Sequence, residues 1–178
     1  RPHAAEKAAD WFVRRFPGDV LYAVKANPGE HVPDALWAGG VRSFDCASDT
    51  EVELVRTRFP DARIAFLHPV KNRRAIARAY REFGVRIFVT DTMAELNKIL
   101  EETGFAKDLT IIVRVAVSCD GAALPLAGKF GASADDAAEI LREARRHADE
   151  LGVSFHVGSQ AMKPTAWATA MADVSRII

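Results

Sequence analysis

Apolar positions along the chain switch repeatedly between a helical period and short continuous runs, and that switching predicts the architecture. Residues 4–15 carry Ala4, Ala5, Ala8, Ala9, Phe12 and Val13 at helical spacing, and Pro17-Gly18 closes the segment. Val20-Leu21-Tyr22-Ala23-Val24-Lys25-Ala26 then reads as a buried parallel strand ended by Asn27-Pro28. A short helix over 33–38 stops at Gly39-Gly40, and a second strand covers 41–47. Ser48-Asp49-Thr50-Glu51 has the capping-box pattern, opening a helix that runs to about Phe59. A third strand over 62–68 leads into a helix over about 71–83. The fourth strand, 85–90, precedes a second capping-box pattern, Thr92-Met93-Ala94-Glu95, whose helix turns Leu96, Ile99 and Leu100 inward. The β-branched run over 109–117 predicts a fifth strand. After a loop over 118–131, a long amphipathic helix following Ser133 puts Ala137, Ile140, Leu141, Ala144, Ala148 and Leu151 on one stripe. A sixth strand over 153–158 and a helix from about Pro164 end the pattern.

The order is one helix and then a strand–helix step repeated six times. Polar residues at the strand ends, Lys25, Asp45, His68, Asp91 and Arg114, lie 20, 23, 23 and 23 residues apart. One βα unit of that size per step is what a (β/α)8 barrel requires, and the carboxyl ends of its strands converge on one face. A doubly wound sheet shows the same alternation, but no Gly-rich fingerprint follows the first strand. Six steps do not close an eight-stranded barrel. The chain also begins at Arg1 rather than Met and stops within a helical pattern. The expectation is an α/β chain forming one partial (β/α) barrel domain over 1–178, a piece of a longer protein.

Composition narrows the function classes. At 178 residues, 49% hydrophobic, the chain can bury one substantial core. Its 24 basic residues balance 24 acidic ones, and a net charge of zero argues against nucleic acid and polybasic membrane partners, which need a positive field. No apolar run reaches transmembrane length, and the first twenty residues show no secretory pattern. The two cysteines, Cys46 and Cys119, lack metal-ligand spacing, so the expectation is a reducing, cytoplasmic setting and no metal.

Candidate chemistry gathers at the strand ends. Strand alternation groups Leu21, Ala23 and Lys25 on one face, so an amine ends a strand with only a methyl group two residues below it. Such a lysine has room to hold a flat aldehyde cofactor as a Schiff base, or it simply leaves the strand into solvent. Arg114 sits in a Val/Ile run where a cation needs a partner, either a ligand or a neighbouring carboxylate. His156 shares a face with Ser154 and Gly158. Asp45 and Ser159 are otherwise an ordinary loop-starting acid and a turn serine.

Tyr22-Ala23-Val24-Lys25-Ala26-Asn27 resembles the lysine motif of the fold-type III pyridoxal-phosphate enzymes, the alanine racemase and ornithine decarboxylase group. Phe44-Asp45-Cys46-Ala47-Ser48, His68-Pro69-Val70-Lys71, Lys129-Phe130-Gly131 and Phe155-His156-Val157-Gly158-Ser159-Gln160 follow in the family's order. The Cys46 variant and His68-Pro69-Val70-Lys71 look most like the bacterial ornithine or ornithine/lysine decarboxylase branch. The resemblance implies pyridoxal 5′-phosphate as cofactor and α-decarboxylation of a basic L-amino acid, ornithine to putrescine or lysine to cadaverine, in polyamine biosynthesis. It assigns Lys25 the covalent hold on the cofactor and Ala23 the space beside it. Asp45 would orient the Lys25 ammonium, Arg114 would lie beside the cofactor's 3′-oxygen, His156 would stack on the pyridine ring, and Ser159 would donate to the phosphate. Glu51 serves at most as support behind these, while Lys129, His68 and Lys71 carry no settled role. The family works as a homodimer. Its Gly-rich phosphate loop, the glutamate for the pyridine nitrogen and the β-rich C-terminal domain have no counterpart in this sequence. The alternatives are a decarboxylase acting on diaminopimelate, arginine or carboxynorspermidine, and a non-catalytic pyridoxal-phosphate-binding homologue.

Overall fold

The computed structural model describes residues 1–117, 122–124 and 128–177. The chain divides into two compact units, residues 1–68 with 75–86, and residues 69–74 with 87–178.

In the first unit α1 (Pro2–Arg15) precedes β1 (Leu21–Ala23), α2 (His31–Ala38), β2 (Ser43–Cys46), α3 (Asp49–Arg58) and β3 (Arg63–Phe66). α4 (Arg73–Arg81) belongs to this unit from Ala75 onward. β1, β2 and β3 pair in parallel, with Ala23 opposite Asp45 and Cys46 opposite Phe66. The expected first strand is shorter than its apolar run. After Ala23 the backbone turns into a single 3-10 turn over Val24–Ala26, so Lys25 leaves on a turn and strand alternation does not set its direction. Fully buried Val24 anchors that turn, and the Tyr22 hydroxyl donates to the Asn27 carbonyl at 3.3 Å across its far side. The core holds Phe44, Phe66, Val52, Val55 and Ile76. Beside it Trp37 and Phe59 stack at 4.6 Å between ring centroids. A Cβ on Gly39 would strike the Glu6 carbonyl oxygen and the Ala9 methyl, so glycine is what lets α1 and α2 approach. Ser48 caps α3 as expected: its Oγ accepts the Glu51 N–H. Glu51 reaches back one residue further than the motif predicts, accepting the Ala47 N–H at 2.7 Å.

In the second unit β4 (Ile87–Thr90), β5 (Thr110–Arg114) and β7 (Glu150–Ser154) pair in parallel, with Thr90 opposite Val113 and Arg114 opposite Ser154. All four residues of β4 are buried, as a parallel strand covered on both faces requires. α5 (Met93–Glu102) and α6 (Ala134–Ala144) bury Leu96, Ile99, Leu100, Ala137 and Ile140, and Phe88, Leu109 and Ile111 are buried in the same unit. A satellite cluster of Val117, Val157, Ala166, Ala170 and Val174 forms under α7 (Thr165–Val174).

Three expectations change here. α6 ends at Ala144 instead of running through Leu151, because Asp149 and Glu150 donate their N–H groups to the Leu109 carbonyl and begin β7. The sixth strand therefore starts three residues earlier and ends at Ser154, leaving His156 beyond it. The loop over 118–131 contains β6 (Ala122–Leu124), which pairs antiparallel with β8 (Ser159–Ala161), so Ser159 lies in a short strand. Residues 118–121 and 125–127 of that loop, including Cys119, lie outside the described residues. No described helix is long and apolar enough to cross a membrane.

Candidate cofactor site

The first unit places Ala23, Lys25 and Asp45 at the carboxyl ends of neighbouring strands. Register sets half-buried Asp45 directly beside Ala23, two residues before Lys25. Lys25 is exposed, on a turn fixed by Val24 beneath it and by the Tyr22–Asn27 hydrogen bond. Asn27 Oδ1 in turn accepts the Gly29 N–H at 3.1 Å, which rigidifies the loop that follows. Behind Asp45, the Cys46 thiol is wholly buried, and burial holds its pKa far above the ordinary thiol range. It is therefore no nucleophile.

The second unit carries Arg114 on β5, opposite Ser154, and brings His156 and Ser159 into one pocket that Arg114 does not line. Arg114 is the last residue of β5 and is half-buried, so the closed apolar setting expected from its Val/Ile neighbours is opened by the strand end. Its guanidinium carbon lies 5.5 Å from the centre of the Phe130 ring. The Gly158 N–H donates to His156 Nδ1 at 2.9 Å, so the neutral ring carries its proton on Nε2 and its plane is held by its own backbone. Gly158 needs a φ of +93° to make that bond, and Gln160 follows with a φ of +53°, a conformation non-glycine residues seldom adopt. Together Phe155, His156, Gly158, Ser159, Gln160 and Trp167 line most of a pocket of about 460 Å³.

Lys71, which sequence reasoning left without a role, is part of a buried ion pair. Its Nζ lies 3.0 Å from Glu95 Oε1 and donates to the Val89 carbonyl at 2.6 Å, with the lysine side chain 0% exposed. Burial pushes the Lys71 pKa down to about 8, against the pull of Glu95 in the other direction. Lys98 Nζ takes the second Glu95 oxygen at 2.6 Å. Thr92 Oγ1 still caps α5 by accepting the Glu95 N–H, but the carboxylate that should complete the capping box is spent on Lys71 and Lys98. The local pattern Thr92–Glu95 could not reveal a partner 24 residues away.

Asp91 is another residue whose role only the fold displays. Its Oδ2 accepts the Gly131 N–H at 3.0 Å, tying the exit of β4 to the Lys129-Phe130-Gly131 segment. His68, two residues past β3, is half-buried.

Within each unit, parallel βα steps leave polar side chains at or just beyond strand ends, the architecture of the α/β barrel class. Residues 3–178 match the profile of a family described as pyridoxal-dependent decarboxylase, pyridoxal binding domain. The chain belongs to that family. It is 38% identical over 149 residues to a decarboxylase of Aspergillus flavus, covering 83% of this chain and 34% of that protein. It is 33% identical over 162 residues to the lysine/ornithine decarboxylase of Selenomonas ruminantium, covering 89% and 39%. The arginine decarboxylase of Paramecium bursaria Chlorella virus, solved bound to agmatine, superposes with a TM-score of 0.88 at 30% identity, over 99% of this chain and 47% of that one. This chain thus spans between a third and a half of the length of the relatives it matches. The fold is the N-terminal part of a (β/α)8 barrel of the alanine racemase-like type, and its cofactor is pyridoxal phosphate.

The described residues fit that cofactor on their own chemistry. A pocket of about 460 Å³ whose lining includes His156, Gly158, Ser159 and Trp167 has the volume for a small heterocycle, with a hydroxyl donor in Ser159. Lys25 supplies an exposed primary amine on a rigid turn.

Proposed function

We propose that the protein decarboxylates a basic L-amino acid, with L-ornithine to putrescine the favoured reaction and L-lysine to cadaverine the second, as a step of polyamine biosynthesis in the cytoplasm. The observation that carries the reading is the β1–β2 register, which sets Asp45 beside the strand end that launches Lys25. Pyridoxal phosphate, when bound, supplies an electron sink for the pair released as the carboxylate leaves.

The chain's own residues prepare that chemistry by position and charge. Lys25, an exposed amine just past the end of β1, would hold the cofactor covalently through its Nζ. Asp45, set by the β1–β2 register beside Ala23, two residues before Lys25, would orient the Lys25 amine. The small side chain of Ala23 leaves the space a planar ring needs. His156 presents its ring face with the Nε2–H directed along the plane, since Nδ1 is occupied by Gly158. Arg114 places a permanent positive charge at the end of β5, and Ser159 donates to the phosphate. The roles of these residues follow the family's motif order and are supported by their location at strand ends. On the same reading the protein acts as a homodimer, with phosphate grip and substrate choice completed by chain outside these 178 residues.

A second reading, L-arginine as substrate, is favoured by the agmatine-bound viral relative and its TM-score of 0.88. One experiment separates the readings. The full-length protein with added pyridoxal phosphate is offered L-ornithine, L-lysine, L-arginine and meso-diaminopimelate separately, and amine and CO2 are identified. Putrescine as the main amine supports the favoured reaction, and agmatine supports the second reading. CO2 release from none of the four overturns the decarboxylase reading and leaves a non-catalytic binding protein.

A further inference from the structure

The segment that returns to the end of β5 is held there at several points, all within the second unit. The Ala132 N–H donates to the Arg114 carbonyl at 2.8 Å, and the Ala116 N–H donates to the Ala132 carbonyl at 2.9 Å. These bonds make a one-residue parallel bridge between Val115 and Ala132. Gly131 lies so close to β5 that a Cβ would stand 2.6 Å from the Ala116 nitrogen and 2.8 Å from the Val115 carbonyl carbon, and its φ is +113°. Backbone there rests directly on backbone, an approach that only glycine permits. The remaining tie comes from the side: Asp91, the first residue after β4, accepts the Gly131 N–H.

Just before Gly131, Phe130 sits beneath the Arg114 guanidinium, and Lys129 Nζ lies 5.5 Å from the same ring. The ring that Arg114 packs on is therefore positioned by the backbone that Asp91 holds. A long arginine side chain loses rotamer freedom when a ligand must order it, and ordering it beforehand removes that cost from binding.

We propose that Asp91 is a positioning residue for the cofactor site: by accepting the Gly131 N–H it closes residues 129–132 onto β5 and thereby holds Phe130 against the Arg114 guanidinium. The inference rests on the reading of Arg114 as a cofactor-side residue. Asp91 touches no reacting atom in this scheme and acts only through Gly131 and Phe130. A carboxylate suits the task because a charge-assisted hydrogen bond is shorter and stronger than a neutral one.

The test measures pyridoxal phosphate affinity of the full-length apoprotein by fluorescence titration, with far-UV circular dichroism as the check on folding. Asp91→Ala weakens binding about tenfold, the loss of one charge-assisted hydrogen bond. Phe130→Leu weakens it by a similar factor, and the double variant is no worse than either single one, because both act on one route to Arg114. Asp91→Asn keeps an oxygen acceptor for the Gly131 N–H but not its charge, and so loses about threefold, well short of the loss in Asp91→Ala. A folded Asp91→Ala protein with unchanged affinity overturns the proposal, as does full additivity in the double variant. If Asp91→Ala does not fold, an unchanged affinity in Phe130→Leu overturns it equally, and weakening there with rescue in Asp91→Asn supports it. A wild-type protein that binds no pyridoxal phosphate is a different failure: it removes the reading of the site itself.

Discussion

Replacing Lys71 by alanine should cost the fold more than any exposed charge change in this chain. The lysine side chain is 0% exposed and Glu95 is 5% exposed, so neither partner can fall back on water. Removing the ammonium strips Glu95 Oε1 of a partner 3.0 Å away and the Val89 carbonyl of one at 2.6 Å, and the deleted methylenes leave a void. Lys98 and the Lys71 N–H still address the Glu95 carboxylate, which keeps the loss within the range for breaking a buried pair, about 3–5 kcal/mol. Urea unfolding of the full-length protein measures this as a lower midpoint at unchanged slope. A loss below about 1 kcal/mol, the value of an exposed pair, would refute the reasoning. The pH dependence adds a second check. Burial holds the Lys71 pKa near 8 in the folded state against 10.5 when free. Below about pH 8 the group is protonated in both states and the burial cost is present in full. Between about 8 and 10.5 the folded state has released the proton while the unfolded chain retains it, so this group's contribution to stability rises with pH. Lys71→Met should remove that rising component from the stability–pH profile, and a profile identical to the wild type would contradict the assignment.

Three further outcomes follow from the packing. Gly39→Ala sets a methyl group against the Glu6 carbonyl and Ala9, so it should lower stability by about 1–3 kcal/mol in thermal or urea unfolding, where an ordinary exposed helix-end Gly→Ala change would be near neutral. Ser48→Ala removes the acceptor for the Glu51 N–H and should cost about 1 kcal/mol in the same assay, with Ser48→Asp restoring most of it. Cys46, buried and held in its thiol form, should stay unmodified by a thiol reagent in the folded protein and react only when urea unfolds it.

Much of the α/β order is local and therefore readable without coordinates. Capping at Ser48 and Thr92, the β-branched run at 110–114 and the helical stripe Ala137–Ile140–Ala144 each specify their element within a few residues. What escaped depends on partners distant in sequence. Leu151 fits the helical stripe of α6 by spacing, yet the Leu109 carbonyl captures the N–H groups of Asp149 and Glu150 and pulls Leu151 into β7. Apolar residues continue through Val24, yet the chain leaves β1 there, because the turn that exposes Lys25 is closed by Tyr22 and Asn27. The candidate cofactor residues are read from motifs, and the structure places Asp45 and Arg114 within the last two residues of their strands, Lys25 and His156 two residues beyond theirs, and Ser159 at the start of β8. Asp91 and Glu95 are not, because an acid after a strand and an acid in a first helical turn look the same whether they cap a helix, clamp a loop or neutralise a buried lysine.

Covalent capture tests the central claim most directly. The full-length protein is saturated with pyridoxal phosphate, reduced with borohydride, digested and mapped by mass spectrometry, beside a Lys25→Ala control. The pyridoxyl mass should appear on the peptide carrying Lys25 and vanish in the control, together with turnover of the accepted amino acid. The same mass on a different lysine, or undiminished turnover by Lys25→Ala, would contradict it.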